Sequence, residues 1–295
     1  MKIVITGSLG NISKPLAKSL VEAGNEVSVI TSSSSRVAAI ESLGAKALVG
    51  TVEDKVFLTN AFKGADAVYT MVPPNFGAQN WKAYIASIGQ NYAAAIVESG
   101  VSKVVNLSSI GAHLVDGCGP VSGIFHVEKA LDALKGVDVL HLRAGFFYTN
   151  FLANIGMIKH NGIIGGNYGE NTSLVLVHPQ DIAKAAYEAL QQLNFSGKVI
   201  KYVVSDEKTT KEVAGILGNA IGKPELPWID FKDEDTLNAL TGVGLSHEIA
   251  SNYVEMGKAL REGKMAEHYL LHKPQTFGNI KLADFAKEFT LAYQS

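Results

Sequence analysis

The chain has 295 residues, 47% of them hydrophobic, and a formal net charge of −2. That length allows one large or two moderate domains with a real core, and the balanced charge supplies no basic excess for a nucleic-acid backbone or a membrane surface. A single cysteine, Cys118, excludes an internal disulfide.

No stretch reaches the ~18 apolar residues of a membrane span. The N-terminus reads as a strand from Lys2 onward rather than as a leader. The expectation is a soluble cytoplasmic protein with no direct nucleic-acid or membrane partner. Lys2–Thr6 is a β-branched run of the kind found in buried parallel strands. Gly7 and Gly10 follow, and then Ile12, Leu16, Ala17, Leu20 and Val21 recur at helical spacing. Strand, glycine turn and helix together set a diphosphate on the free N–H groups of the helix's first turn. Gly7, Leu9, Gly10, Asn11 and Ile12 are therefore candidate dinucleotide contacts. The alternative is a turn that needs glycine only for its backbone.

Glu26–Thr31 predicts the second strand. An acidic residue about 20 positions past the glycines would bind the ribose 2′-hydroxyl of NAD. Here Thr31 is followed by Ser32 to Ser35 and Arg36, and the first carboxylate is Glu41. Hydroxyls with a guanidinium suit a 2′-phosphate. Thr31, Ser32 and Arg36 thus favour NADP(H) over NAD(H), although the serines could equally cap the next helix. Ala45–Val49 is the third strand, and Asp54 is placed to cap the helix after it. Val52 and Glu53 fall where an adenine would rest. Ala65–Thr70 is the fourth strand, and Met71-Val72-Pro73-Pro74 is an extended turn expected over the diphosphate and ribose. A helix over Trp81–Ser99 stops at Gly100, and Val101–Leu107 is the fifth strand. Five strands alternating with four helices predict an α/β fold: a doubly wound parallel sheet of Rossmann type, with ligands beyond the carboxyl ends of the strands.

The next expected elements are a helix over 121–134, a strand over Val137–Arg143, a helical run over Phe151–His160 and a short strand over Leu174–His178. A helix over Pro179–Leu190 and a strand over Lys198–Val204 follow. From Thr209 the pattern is mainly helical, over Lys211–Ile221, Glu234–Leu240, Ser246–Glu262 and Leu282–Tyr293. The chain divides into an NAD(P)-binding domain over 1–150 and a smaller, mainly helical substrate-capping region over 151–295, with 174–204 returning to the Rossmann core. No His-Glu-x-x-His or cysteine pair occurs, so no metal is expected. No Gly-x-Ser-x-Gly elbow supports hydrolase chemistry.

The segments Thr6-Gly-x-x-Gly10, Leu107-Ser-Ser109, Phe125-His-Val-Glu-Lys129, Leu142-Arg143 with Tyr148-x-Asn150, and Asp181-Ile-Ala183 resemble the atypical short-chain dehydrogenase/reductases. Within these the chain is most similar to the NmrA-like group, which includes NAD(P)H:quinone reductases and non-catalytic NADP(H)-sensing regulators. The resemblance covers residues 1–205. It departs at Ser13, where the glycine turn ends on a residue larger than glycine, and at Phe125-x-x-x-Lys129, where the superfamily has Tyr-x-x-x-Lys. Residues i and i+4 share a helix face, so the resemblance implies that Lys129 holds ribose hydroxyls while Phe125 cannot donate a proton. Ser108 becomes a candidate for the nicotinamide pocket, and His126 and Tyr148 become candidate proton donors. Phe125, Phe146, Tyr148 and Asn150 become candidate substrate contacts. The implied function is an NADPH-dependent reductase of a quinone-like or other conjugated acceptor. The alternative is a regulator that senses NADP(H) and binds a protein partner; a homodimer stays open.

Overall fold

Strand β1 (Lys2–Ile5) sends Ile3 and Ile5 to one face of a sheet and Val4 to the other, as the two-residue period of a strand requires. The computed structural model, which describes residues 1–295, repeats this division in β2 (Glu26–Thr31) and β4 (Ala67–Thr70), on either side of β1. With β3 (Lys46–Val49), β5 (Lys103–Ser109), β6 (Asp138–Ala144) and a late strand they build one sheet. Between β6 and that late strand come β7 (Phe146–Phe147), β8 (Ile164–Gly166) and β9 (Ser173–Val177); the late strand is β10 (Lys198–Val203). The order is β10-β6-β5-β4-β1-β2-β3 and every pairing is parallel. Apart from end residues, the seven strands of this sheet match the sequence expectation, whereas β7 and β8 were not expected.

Helices α1 (Ser13–Glu22), α2 (Val37–Glu41), α3 (Lys55–Phe62), α4 (Trp81–Ser99) and α5 (Pro120–Asp132) link the strands of the first half. Beyond α6 (Ile155–Asn161), α7 (Pro179–Gln192) rejoins the sheet. Leu16 and Leu20 of α1 and Ile182 and Ala186 of α7 pack on Ile3, Ile5 and Val29. On the opposite face Leu58, Phe62, Ile88, Tyr92, Ile96, Val127 and Leu131 of α3, α4 and α5 cover Val4, Val68 and Val104. Helices therefore lie on both faces, as in a doubly wound sheet. Asp54 caps α3 by accepting from the Phe57 N–H at 3.0 Å, and Gly100 ends α4 in the left-handed region. A Cβ on Gly89 would sit 2.8 Å from the Val127 Cα, so that glycine lets α4 and α5 approach closely.

The C-terminal part adds β11 (Asp206–Thr209), β12 (Trp228–Asp230), α8 (Thr210–Ala220), α9 (Asp233–Gly242), α10 (His247–Arg261), α11 (Glu267–Leu271) and α12 (Leu282–Gln294). Strands β11, β9 and β7 form a second sheet, and β12 pairs with β8. A separate core joins Tyr148, Phe151, Trp228, Phe285 and Phe289. The helix expected over Phe151–His160 is instead a 3₁₀ helix over Tyr148–Asn154 followed by α6. Three residues per turn align i with i+3, which buries Tyr148 and Phe151 together. No helix is long and apolar enough to cross a membrane.

Candidate functional site

The turn after β1 is shaped by what cannot fit there. Gly7 has φ +91°, and a Cβ on it would lie 2.6 Å from Ser13 Oγ and 2.9 Å from Met71 Cγ. The Ser13 hydroxyl donates to the Thr6 carbonyl at 2.9 Å. The serine at the end of the glycine turn therefore ties helix to strand rather than holding them apart. Helix α1 starts without a side-chain cap and without an acidic residue in its first turn. The N–H groups of Leu9, Asn11 and Ile12 have no hydrogen-bond partner within the protein. Such unpaired donors at a helix start form an anion site.

A groove of about 500 Å³ opens beside this turn, within the size range of ligand pockets. Of the residues expected to bind the cofactor, Gly7, Leu9, Gly10, Ser32, Arg36, Val52, Met71 and Pro73 line it. Ser8, Ile30, Gly50, Thr51 and Pro74 line it too. Pro74 belongs to the turn expected there; Ser8, Ile30, Gly50 and Thr51 were missed, although Gly50 and Thr51 stand directly after the third strand and Ser8 lies inside the glycine turn. No lining residue is acidic. Arg36 reaches back over the turn, its Nη1 donating to Ser8 Oγ at 3.2 Å. Ser33 caps the 3₁₀ turn Ser34–Arg36, so the serine run caps a helix and also lines the groove.

Helix α4 braces both walls. Asn91 Nδ2 donates to the carbonyls of Val52 at 3.3 Å and Glu53 at 3.0 Å. Tyr92 Oη donates to the Met71 carbonyl at 2.6 Å. Tyr84 Oη donates to Glu53 Oε1 at 3.1 Å. Burial first, then this bond to Glu53, pushes the Tyr84 phenol up to about 12.

Several expected contacts lie elsewhere. Thr31 is buried beneath the turn, accepting from Ser8 Oγ at 2.9 Å. The Ile12 side chain belongs to the core, while the exposed Asn11 and the half-buried Val72 are not lining residues. Glu53 is held at the rim by Tyr84. The buried Ser108 hydroxyl donates to Glu128 Oε1. Glu128 meets Arg143 twice, Nε to Oε1 at 3.0 Å and Nη2 to Oε2 at 2.6 Å, and Arg143 Nη1 donates to Tyr202 Oη at 3.4 Å.

Lys129 and His126 are not brought to the groove. Both are exposed and line a different depression, with Ala93, Val97 and Glu98 of α4. Helix α5 runs from the carboxyl edge of the sheet towards its opposite edge. Nine residues at 1.5 Å each put Lys129 about 14 Å down the helix from Pro120. Its Nζ lies 5.4 Å from the centroid of the half-buried Phe125 ring. Tyr148 is fully buried, stacks on Phe285 and donates to the Ile280 carbonyl at 3.2 Å. Burial, with Asp206 and Asp181 adding, raises its phenol far above the usual range. Phe146 packs inside against Phe151 and Tyr168. Asn150 is exposed on the 3₁₀ helix. Burial pushes the Cys118 thiol up to about 12, which suits an inert core residue.

The parallel sheet, the glycine turn and the groove at its carboxyl edge define a Rossmann-type fold with its groove where such sheets take their ligands. The profile of the NmrA-like family matches residues 1–268, and the chain belongs to that family. A search of curated proteins finds no match. Among solved structures the chain is similar to the NADPH-dependent quinone oxidoreductase QOR2 of Escherichia coli in complex with NADPH. The TM-score is 0.82 at 21% identity, over 97% of this chain and 99% of that one. It is similar to the Citrobacter sp. triphenylmethane reductase complexed with NADP(H), with TM-score 0.79 and 18% identity over 97% and 100% of the two chains. A nucleoside-diphosphate-sugar epimerase from Staphylococcus aureus gives 0.78 and 15% over 97% and 100%. At these identities the likeness is one of fold.

Proposed function

We propose that the protein is an NADPH-dependent reductase that passes hydride to a quinone-like or otherwise conjugated acceptor, without a tyrosine as proton donor. The groove carries this reading: a glycine turn with unpaired N–H donors, Ser32 and Arg36 on its wall, and no carboxylate in its lining. The residues fit the cofactor, which supplies the hydride when bound. The N–H groups of Leu9, Asn11 and Ile12 hold the diphosphate, and Arg36 and Ser32 meet the 2′-phosphate. Val52 and Thr51 flank the adenine. Leu9 and Met71 present apolar surface along the groove and exclude water there. Residues 151–173 and 205–295 cap the acceptor side.

The lining holds no tyrosine, histidine or cysteine. That suits acceptors whose reduced anion is delocalised, because solvent can then deliver the proton and the protein's contribution is to place two flat rings face to face. The names of two similar structures, a quinone oxidoreductase and a triphenylmethane reductase, support this acceptor class. The test follows NADPH absorbance with a panel of quinones and triphenylmethane dyes. Turnover is expected with the parent protein and not with Gly7→Val, whose side chain meets Ser13 and Met71. Folded protein that binds NADPH and reduces no acceptor overturns the reading. The same lack of acid–base side chains favours a second one, a regulator that binds NADP(H) without turnover. That reading requires a protein partner captured differently in the NADP⁺ and NADPH states.

A further inference from the structure

Ser8 is one of two non-glycine residues in the chain with positive φ, at +54°. For a residue with a Cβ this backbone region is uncommon and strained. Glycine would adopt it without strain, so the side chain at this place has something to do. Its hydroxyl is buried and sits in a chain of hydrogen bonds whose direction is fixed at one end. A guanidinium only donates. Arg36 Nη1 therefore donates to Ser8 Oγ at 3.2 Å, and the single Ser8 hydroxyl proton goes to Thr31 Oγ1 at 2.9 Å. Thr31 Oγ1 in turn donates to the Ser33 carbonyl at 3.4 Å and accepts from the Ser33 N–H at 3.3 Å. The chain ends on the backbone of the segment that carries Arg36.

We propose that Ser8 is a positioning residue for cofactor choice: it holds the Arg36 guanidinium over the groove, ready for a 2′-phosphate, and so sets the preference for NADPH over NADH. This rests on the NADPH reading given above. The bond commits one N–H of the guanidinium inward and leaves Nη2 and the remaining N–H groups for an anion. Arg36 itself is exposed, and a long exposed side chain would otherwise lose rotamer freedom on meeting its ligand. Holding it in advance reduces that cost. A cofactor without the 2′-phosphate gains nothing from the arrangement, so the effect falls on one nucleotide and not on the other.

The experiment measures dissociation constants for NADPH and NADH by calorimetry with full-length protein. Ser8→Ala removes the hydroxyl, and Ser8→Gly removes it while fitting the backbone, so the glycine variant serves if the alanine variant folds poorly. The expected result for either is NADPH bound about fivefold more weakly, NADH unchanged within twofold, and an unfolding temperature for Ser8→Gly at or above that of the parent. In an Arg36→Ala background the same changes at Ser8 leave NADPH affinity unchanged, because the residue acts through the guanidinium. Equal weakening of both nucleotides, or no change in their ratio, overturns the proposal. Parent protein that binds neither nucleotide overturns instead the reductase reading on which it rests.

Discussion

The groove beside the glycine turn and the cluster between β5, β6 and α5 use polar groups in opposite ways. Around the groove donors are left over: the main-chain N–H groups of Leu9, Asn11 and Ile12 have no partner in the protein, and the exposed Arg36 guanidinium stands on the wall. In the cluster the polar groups are side chains, and they are paired. Glu128 accepts from Ser108 and twice from Arg143, and Arg143 continues to Tyr202, whose hydroxyl lies 2.8 Å from His268 Nδ1. Glu128 and Arg143 are 3% and 4% exposed. A place that waits for a ligand keeps donors in hand. A place that holds elements together pairs its charged side chains with one another, because an unmatched buried polar group costs about 1–3 kcal/mol.

The sharpest way to break this contrast is to remove one half of the buried pair. Glu128→Leu leaves the Arg143 charge without a counter-charge, and breaking such a pair costs about 3–5 kcal/mol. Urea denaturation is expected to show a loss of that size, with most of it regained when Arg143→Met is added. NADPH affinity of the folded fraction stays within twofold. Intact stability with a tenfold loss of affinity would move the cluster into the binding site and end the distinction.

A smaller effect sharpens the contrast through pH. His113 and His268 face each other at 5.7 Å beside Arg143. Burial first, then the Arg143 charge, holds both imidazoles below their ordinary value of 6.5. His272 and His113 add to the effect on His268, while Glu267 opposes it more weakly at His113. The unfolded chain therefore binds more protons just below pH 6.5 than the folded protein does. Stability is full above that pH and falls as acid carries the solution down through the lowered folded-state values. Urea midpoints measured from pH 7.5 to 5 are expected to decline, and His113→Phe with His268→Gln flattens the decline.

The groove was legible because its determinants are local. Gly7, Gly10, Ser32, Arg36 and Met71 each follow the end of a strand, and strand ends can be read from apolar runs. Ser8 could not be read this way: its φ and its bond to Arg36 depend on how two turns meet across the sheet. Around α5 the motif was seen but rotated. Phe125-His-Val-Glu-Lys129 directed attention to Lys129, yet the residue that turns inward is its neighbour Glu128. Successive helical residues point about 100° apart, and single-residue spacing does not say which one faces the sheet. Asp181 shows the same limit. Its Asp-Ile-Ala segment signalled the family, but its carboxylate accepts from Ser205 Oγ at 2.6 Å and from the N–H groups of Asn279 and Ile280 at 3.2 Å. It anchors a distant loop, and nothing in the local sequence announces that partner. β12 pairs with β8 across some 60 residues for the same reason.

Lys129 provides the smallest effect and the most direct check on that rotation. If the family lysine acted from this position, Lys129→Ala would remove contacts to ribose hydroxyls and weaken NADPH binding severalfold. The structure instead leaves its ammonium in solvent, near the Phe125 ring at 5.4 Å and among residues of the outer face of α4 and α5. An exposed cation over an aromatic ring is worth about 0.5–1 kcal/mol at most. The expected outcome of Lys129→Ala is a stability change within about 0.5 kcal/mol and an NADPH dissociation constant unchanged within twofold. A fivefold loss of affinity with normal stability would mean that α5 presents a different face to the cofactor. The Glu128–Arg143 geometry would then have to rotate with it, since both depend on the same helix register.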